Sequence, residues 1–171
     1  MDWGIVAGGA LAVTGGALTI VGGIVADLMK DRRVDSREAA ARVAQKAAER
    51  DAFQRETLTG LQDALTEWAR ALMEAHGLYR KSAHANGSWE TRSRLPDELN
   101  ERMMTLQRRV SLLRSRVLDD EERRLVDVAT STAYIAVLGS TEEAAVEAAE
   151  QVAQMLVQAI ERAGELIRGL W

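Results

Sequence analysis

The chain of 171 residues has no cysteine, one proline, two histidines and seven aromatic residues, four of them tryptophan. Without cysteine there can be no disulfide framework, thiolate zinc site, iron–sulfur cluster or cysteine nucleophile, and a reducing compartment suits the chain. His76 and His84 form neither a His-Glu-x-x-His nor a Glu-x-x-His pair, so a metal centre has little to draw on. Gly-x-Ser-x-Gly, the phosphate-cradling Gly-x-x-x-x-Gly-Lys and paired-glycine dinucleotide fingerprints are missing too. A formal charge of −4 argues against a dedicated nucleic-acid binder. The expectation is a protein that is not an enzyme and takes no cofactor.

What the sequence has is unevenly placed. Seven of its 13 glycines fall within the first 23 residues. From Trp3 to Ala26 there are 24 consecutive uncharged residues, bounded by Asp2 before and by Asp27, Lys30, Asp31, Arg32 and Arg33 after. As a helix this run spans about 36 Å, enough for the ~30 Å core of a bilayer. No Lys or Arg precedes it, as a signal peptide would require, so it reads as a retained span. Six basic residues follow within twenty positions, which orients the C-terminal domain toward the cytoplasm and the N-terminus outward. Lys30, Arg32 and Arg33 are placed to meet lipid phosphates. The competing reading, a buried core helix from Gly4 to Ala26, is opposed by its length without a polar face.

The run repeats every seven residues: VAGGALA at 6–12, VTGGALT at 13–19, IVGGIVA at 20–26. On a helix, Gly8, Gly15 and Gly22, then Ala12, Thr19 and Ala26, then Gly9, Gly16 and Gly23 make one arc about 100° wide in which every side chain is small. Interior glycines cost a helix up to ~1 kcal/mol each, whereas close backbone approach in lipid gives them a use. The face therefore predicts self-association, against a permissive anchor whose glycines are compositional. The heptad period favours a left-handed crossing, and Gly4-xxx-Gly8 leaves a right-handed one open. The repeat resembles the glycine-rich helices of rotary-ATPase membrane rings and other glycine-zipper oligomers. Ring subunits that carry ions hold a carboxylate at mid-membrane, and this run has none.

The rest reads as helix. Asp35-Ser-Arg-Glu38 has the form of a capping box, and from there to about Lys81 only Gly60 and Gly77 interrupt. The Ala-rich, mixed-charge half from Ser36 to Glu56 predicts a stalk. Leu58, Leu61, Leu65, Trp68, Leu72, Ala75 and Tyr79 form a core-facing seam. Ser82 to Leu95 supplies the longest loop, and Pro96 opens a second helix using Leu99, Met103, Leu106, Val110, Leu113 and Val117. The register fails there, because Asp119 to Glu122 would occupy seam positions, so a short turn is placed at that point. A third helix follows to Leu138 on Leu125, Val128, Ile135 and Leu138, with Gly139 as its stop. Ser140 to Glu143 caps a fourth, with the seam Val146, Ala149, Ala153, Leu156, Ile160, Ala163, Ile167 and Leu170.

The expected fold is all-α: a transmembrane helix over residues 1–29, a juxtamembrane basic segment and stalk helix over 30–57, and an antiparallel four-helix bundle over 58–171. Up-and-down connectivity would bring Leu170 and Trp171 back toward the bilayer interface, or leave Trp171 closing the bundle end. His76, just before Gly77, is expected to cap a helix C-terminus, and the acids at 119–122 to serve a helix dipole. Nine arginines between Arg92 and Arg124 and six glutamates on the last helix predict attraction between neighbouring helices of opposite sign.

In layout the chain resembles small actinobacterial-type single-pass membrane proteins with a cytoplasmic helical domain, a resemblance that carries no catalytic residue with it. The function expected is a membrane-anchored scaffold or adaptor, a homo-oligomer through its small-residue face, presenting its bundle to itself or to a cytoplasmic protein partner at the bacterial inner membrane. The alternative is an oligomeric membrane-permeabilising effector controlled by the bundle, on the plan of holin-like phage proteins and antiviral-defence effectors. Thr14 and Thr19 are the only hydroxyls available in the span for lining a pore, which favours the scaffold.

Overall fold

The computed structural model describes the backbone of residues 4–89 and 94–171, and the side chains of residues 36–89 and 94–171. Among them are four helices and no strand: α1 Gly4–Asn86, α2 Asp97–Arg114, α3 Asp120–Leu138 and α4 Glu142–Gly169. Contacts divide the chain into residues 1–49 and residues 50–171.

In the first unit, every residue from Ser36 to Glu49 is exposed. Its side-chain ties there are local, Arg42 to Glu38 at 3.4 Å and Gln45 to Glu49 at 2.8 Å, each one helical turn apart. The helix start expected at Asp35–Glu38 is absent. The backbone is helical straight through, because no Gly or Pro lies between Gly23 and Gly60 and the residues around it are good helix formers. Among the described residues no helix is long and apolar enough to cross a membrane. The uncharged run at 3–26 lies outside the residues whose side chains are described.

The second unit is a four-helix bundle built from residues 50–86 of α1 together with α2, α3 and α4. Cross-helix bonds fix its direction. Glu74 meets Arg102 and Glu67 meets Arg109, so α1 and α2 are antiparallel. Gln62 donates to the Ile160 carbonyl at 2.7 Å and Arg80 meets Glu142, so α1 and α4 are antiparallel as well. Gln107 to Tyr134 and Arg114 to Asp127 set α3 against α2 in the same sense. The arrangement is up-down-up-down.

The α1 seam packs as its spacing predicts: Leu58, Leu61, Leu65, Trp68, Leu72 and Ala75 are all buried, and Tyr79 packs against a smaller cluster above them. Each large side chain among them contributes roughly 1.5–3 kcal/mol of burial. On α2, Leu99, Leu106 and Val110 are buried, while Val117 lies past the helix end in the α2–α3 connection and still fills the core.

The α3 seam is different from the expected one. Leu125 packs against the core as expected, but Val128, Ile135 and Leu138 are exposed, and the buried face is Glu122, Val126, Ala129, Ala133, Ala136 and Val137. On α4, Ala149, Leu156 and Ala163 are buried and Ile160, Ile167 and Leu170 pack against the core as expected, but Ala153 is exposed and Ala145, Ala148, Val152 and Ala159 are buried beside them. The reason is size. Ala136, Ala148 and Ala149 form a cluster of their own, and small facing residues let two helices approach closely, which a seam chosen from the largest side chains cannot anticipate.

Two further boundaries shift. The first helix passes Gly77 and Lys81 and ends at Asn86, where Gly87 at φ +77 adopts the left-handed conformation that terminates helices. Thr141, rather than Ser140, caps α4, its side chain accepting from the Ala144 amide at 3.2 Å.

Candidate functional site

The small face Gly8, Gly9, Ala12, Gly15, Gly16, Thr19, Gly22, Gly23 and Ala26, and the basic trio Lys30, Arg32 and Arg33, belong to α1, and their side chains lie outside the described residues. Within the bundle, polar and apolar features of functional interest lie in two places.

The first is the floor of the bundle, at the α2–α3 connection. Gln54 on α1 straps it with both ends of its amide, its Nε2 donating to the Arg116 carbonyl at 2.9 Å and its Oε1 accepting from the Leu118 amide at 3.0 Å. Asp119 caps α3, accepting from the Glu122 amide at 2.7 Å. The same carboxylate takes a two-pronged bond from Arg162 of α4, with both distances 2.9 Å. The fork geometry makes this the strongest kind of side-chain ion pair. The hydrogen bond from Arg162 holds the Asp119 carboxyl below its ordinary value, helped by the Glu122 and Glu121 amides. Arg123 closes the corner by donating to the Val117 carbonyl at 2.9 Å and pairing with Asp120.

Beneath this clasp lies Glu122, with no exposed surface and neither carboxylate oxygen hydrogen-bonded. Burial pushes its carboxyl from the ordinary 4.5 up to about 7, the negative charge of Asp119 adds to the rise, and Arg162 opposes it. A bare carboxylate in such a place is costly. Sequence reasoning treated the acids at 119–122 as equivalent dipole partners and missed this one. The signal was the seam position itself: Glu122 stands four residues before Val126 and seven before Ala129, on the buried face of α3.

The second place is the cleft between α2 and α3. It holds about 160 Å³, with Trp68 and Leu72 at its base and Met103, Met104, Ala133, Tyr134 and Val137 on its walls. The Gln107 amide donates to the Tyr134 hydroxyl across it at 2.7 Å. Residues 128–141 carry no charge. Along this stretch Tyr134, Ile135 and Leu138 are 53%, 52% and 64% exposed, making an uncharged apolar ridge beside the cleft.

The remaining expected sites resolve as follows. His76 is mid-helix and buried, its Nδ1 lying 3.2 Å from the Ala136 carbonyl, so it ties α1 to α3 instead of capping a helix end. Trp89 Nε1 donates to the Gly139 carbonyl at 2.8 Å beside it. Trp171 is 90% exposed, with the Arg55 guanidinium 4.5 Å over its ring, so it does not close the bundle end. Three arginines of α2 pair with acids of its neighbours, Arg102 and Arg109 with α1 and Arg114 with α3, and not with the acidic helix α4, which lies diagonally across. Among the described residues no group of three His, Asp or Glu side chains is placed to hold a metal ion. No family model, curated protein or solved structure matches the chain.

Proposed function

We infer that the protein is a membrane-anchored helical scaffold without enzymatic activity. Its first helix inserts in the cytoplasmic membrane of a bacterium and associates with other copies through the face from Gly8 to Ala26, while the bundle stays on the cytoplasmic side and offers helical faces to itself or to a protein partner. The observation that carries this reading is the threefold heptad with paired glycines inside 24 uncharged residues, closed by Lys30, Arg32 and Arg33. The uncharged ridge of Tyr134, Ile135 and Leu138 beside an apolar cleft supports the presenting role, since exposed apolar patches of this kind commonly mark contact surfaces.

The test has two steps on the full chain. Carbonate extraction should leave the protein in the membrane fraction, and the particle released by detergent should be larger than one chain. Leucine at Gly8, Gly15 and Gly22 together should reduce that particle to a monomer while retaining membrane insertion. Release by carbonate, or a monomeric native particle at high concentration, overturns the reading. Growth arrest with dye entry on expression, abolished by Gly15→Leu, would assign membrane permeabilisation in its place.

A further inference from the structure

We propose that the floor of the bundle is a proton-operated latch in which Asp119 and Glu122 compete for the single guanidinium of Arg162. With Glu122 protonated, a neutral carboxyl is buried and Arg162 is committed to Asp119 by both of its bonds. The first turn of α3 is then held against the C-terminal half of α4. When the Glu122 carboxyl releases its proton to solvent, a carboxylate is left with no hydrogen bond and a second negative charge, Asp119, at the preceding turn. It has two ways out. Either Arg162 leaves Asp119 and turns to Glu122, or the first turn of α3 moves away from the core and takes Glu122 to water. The first frees the Asp119 cap from α4 and the second undoes the cap itself, so both loosen the start of α3.

Among the described residues, Arg162 is the cation that bears on Glu122. On the α1 side the buried residues at this level are Gln54, Thr57, Leu58 and Leu61, none of which ionises, and the charged Arg50 and Asp51 line the recess at Asp119. On α4, Arg162 is the charged group that bears on Glu122, and Asp119 is the one in the connection. At the end of α2, Arg114 pairs with Asp127 through Nη1, while its Nε is buried without a hydrogen-bond partner. On α3 itself, Arg123 is committed to the Val117 carbonyl and Asp120, and Arg124 grips Glu121 with two bonds at 2.8 and 2.7 Å. What the latch releases is also defined. Gln54 holds the connection from α1 at Arg116 and Leu118, so the loosened stretch begins at Asp119 and runs into the first turns of α3. The inference is independent of membrane anchoring, because every residue it uses lies in the bundle.

The test is amide hydrogen exchange of the detergent-solubilised full chain at pH 6 and pH 8.5, corrected for the intrinsic pH dependence of exchange, with Glu122→Gln beside the native protein. Residues 119–126 of the native chain should lose protection by at least about tenfold at the higher pH, while amides around Leu65 and Leu72 keep theirs. Glu122→Gln should hold its protection at both. Equal protection at the two pH values, or a loss spread evenly over all four helices, overturns the latch. Should the glutamine variant fail to fold, carboxyl and guanidinium NMR of the native chain decides. The Arg162 Nε signal must move with the Glu122 titration, and a Glu122 titration that leaves Arg162 unmoved sinks the proposal.

Discussion

Asp119 shows how much one side chain can hold. It satisfies an amide of the first turn of α3 and accepts both prongs of Arg162 from α4, so it fixes a helix end and a helix pair at once. Asp119→Ala should therefore cost more than an ordinary cap, about 2 kcal/mol, measured by urea denaturation. Asp119→Asn retains an acceptor for the amide but loses the charge, and should fall between the two. A loss below ~0.5 kcal/mol for the alanine variant would mean that the clasp is ornamental. Of the three consecutive acids that begin α3, Asp120 is exposed and Glu122 is fully buried. The interruption of the apolar pattern at 119–122 was legible in the sequence. That it marks a buried carboxyl as well as a turn was not, since a carboxylate in a seam position is more often a sign that the helix has ended.

At the scale of the element, the periodicity located four helical segments in the bundle and found the face of α1, but after Leu125 it chose the wrong side of α3. Ile135 and Leu138 are the bulkiest aliphatic residues in the second half of that helix, and both face outward. The inward residues of that half are mostly alanines, which carry a weak apolar signal and are selected by how closely α4 approaches. This register is checked by a pair of variants. Val126→Ala, at a fully buried position, should cost about 1–3 kcal/mol, and Ile135→Ser, at an exposed one, should change stability by less than about 0.5 kcal/mol. The reverse order would restore the seam expected from side-chain size. The continuity of α1 through residues 35–38 has a similar origin. A capping-box pattern stops or starts a helix only when the backbone before it departs from helical geometry, and nothing in that stretch obliges it to do so.

For the whole molecule, two carboxyls at the bundle floor set opposite pH limits. The Asp119 carboxyl is held below its ordinary value, so its contribution is present at neutral pH and is lost as the pH falls through the acid range. Glu122, raised from 4.5 to about 7, binds a proton in the folded chain that the unfolded chain has already released, so stability declines as the pH rises from about 4.5 through 7. Together they place the optimum on the acid side of neutrality. Thermal unfolding of the full chain should show the midpoint falling between pH 5 and pH 8, by an amount that reflects about 3 kcal/mol at most. Glu122→Gln should flatten this slope and be the more stable protein at pH 8. A native midpoint that is constant or rises across that interval would contradict the placement of Glu122.

Helical class, the number of bundle helices, the α1 seam and the concentration of small residues near the N-terminus follow from the amino-acid order, because each is a periodic or compositional property that a helix converts directly into a face. Which face of α3 turns inward, how Asp119 is shared between a cap and an arginine, and that a glutamate lies beneath them were decided by packing. These depend on the distance between helices and on what stands opposite each residue, quantities that exist only once residues far apart in the chain have met.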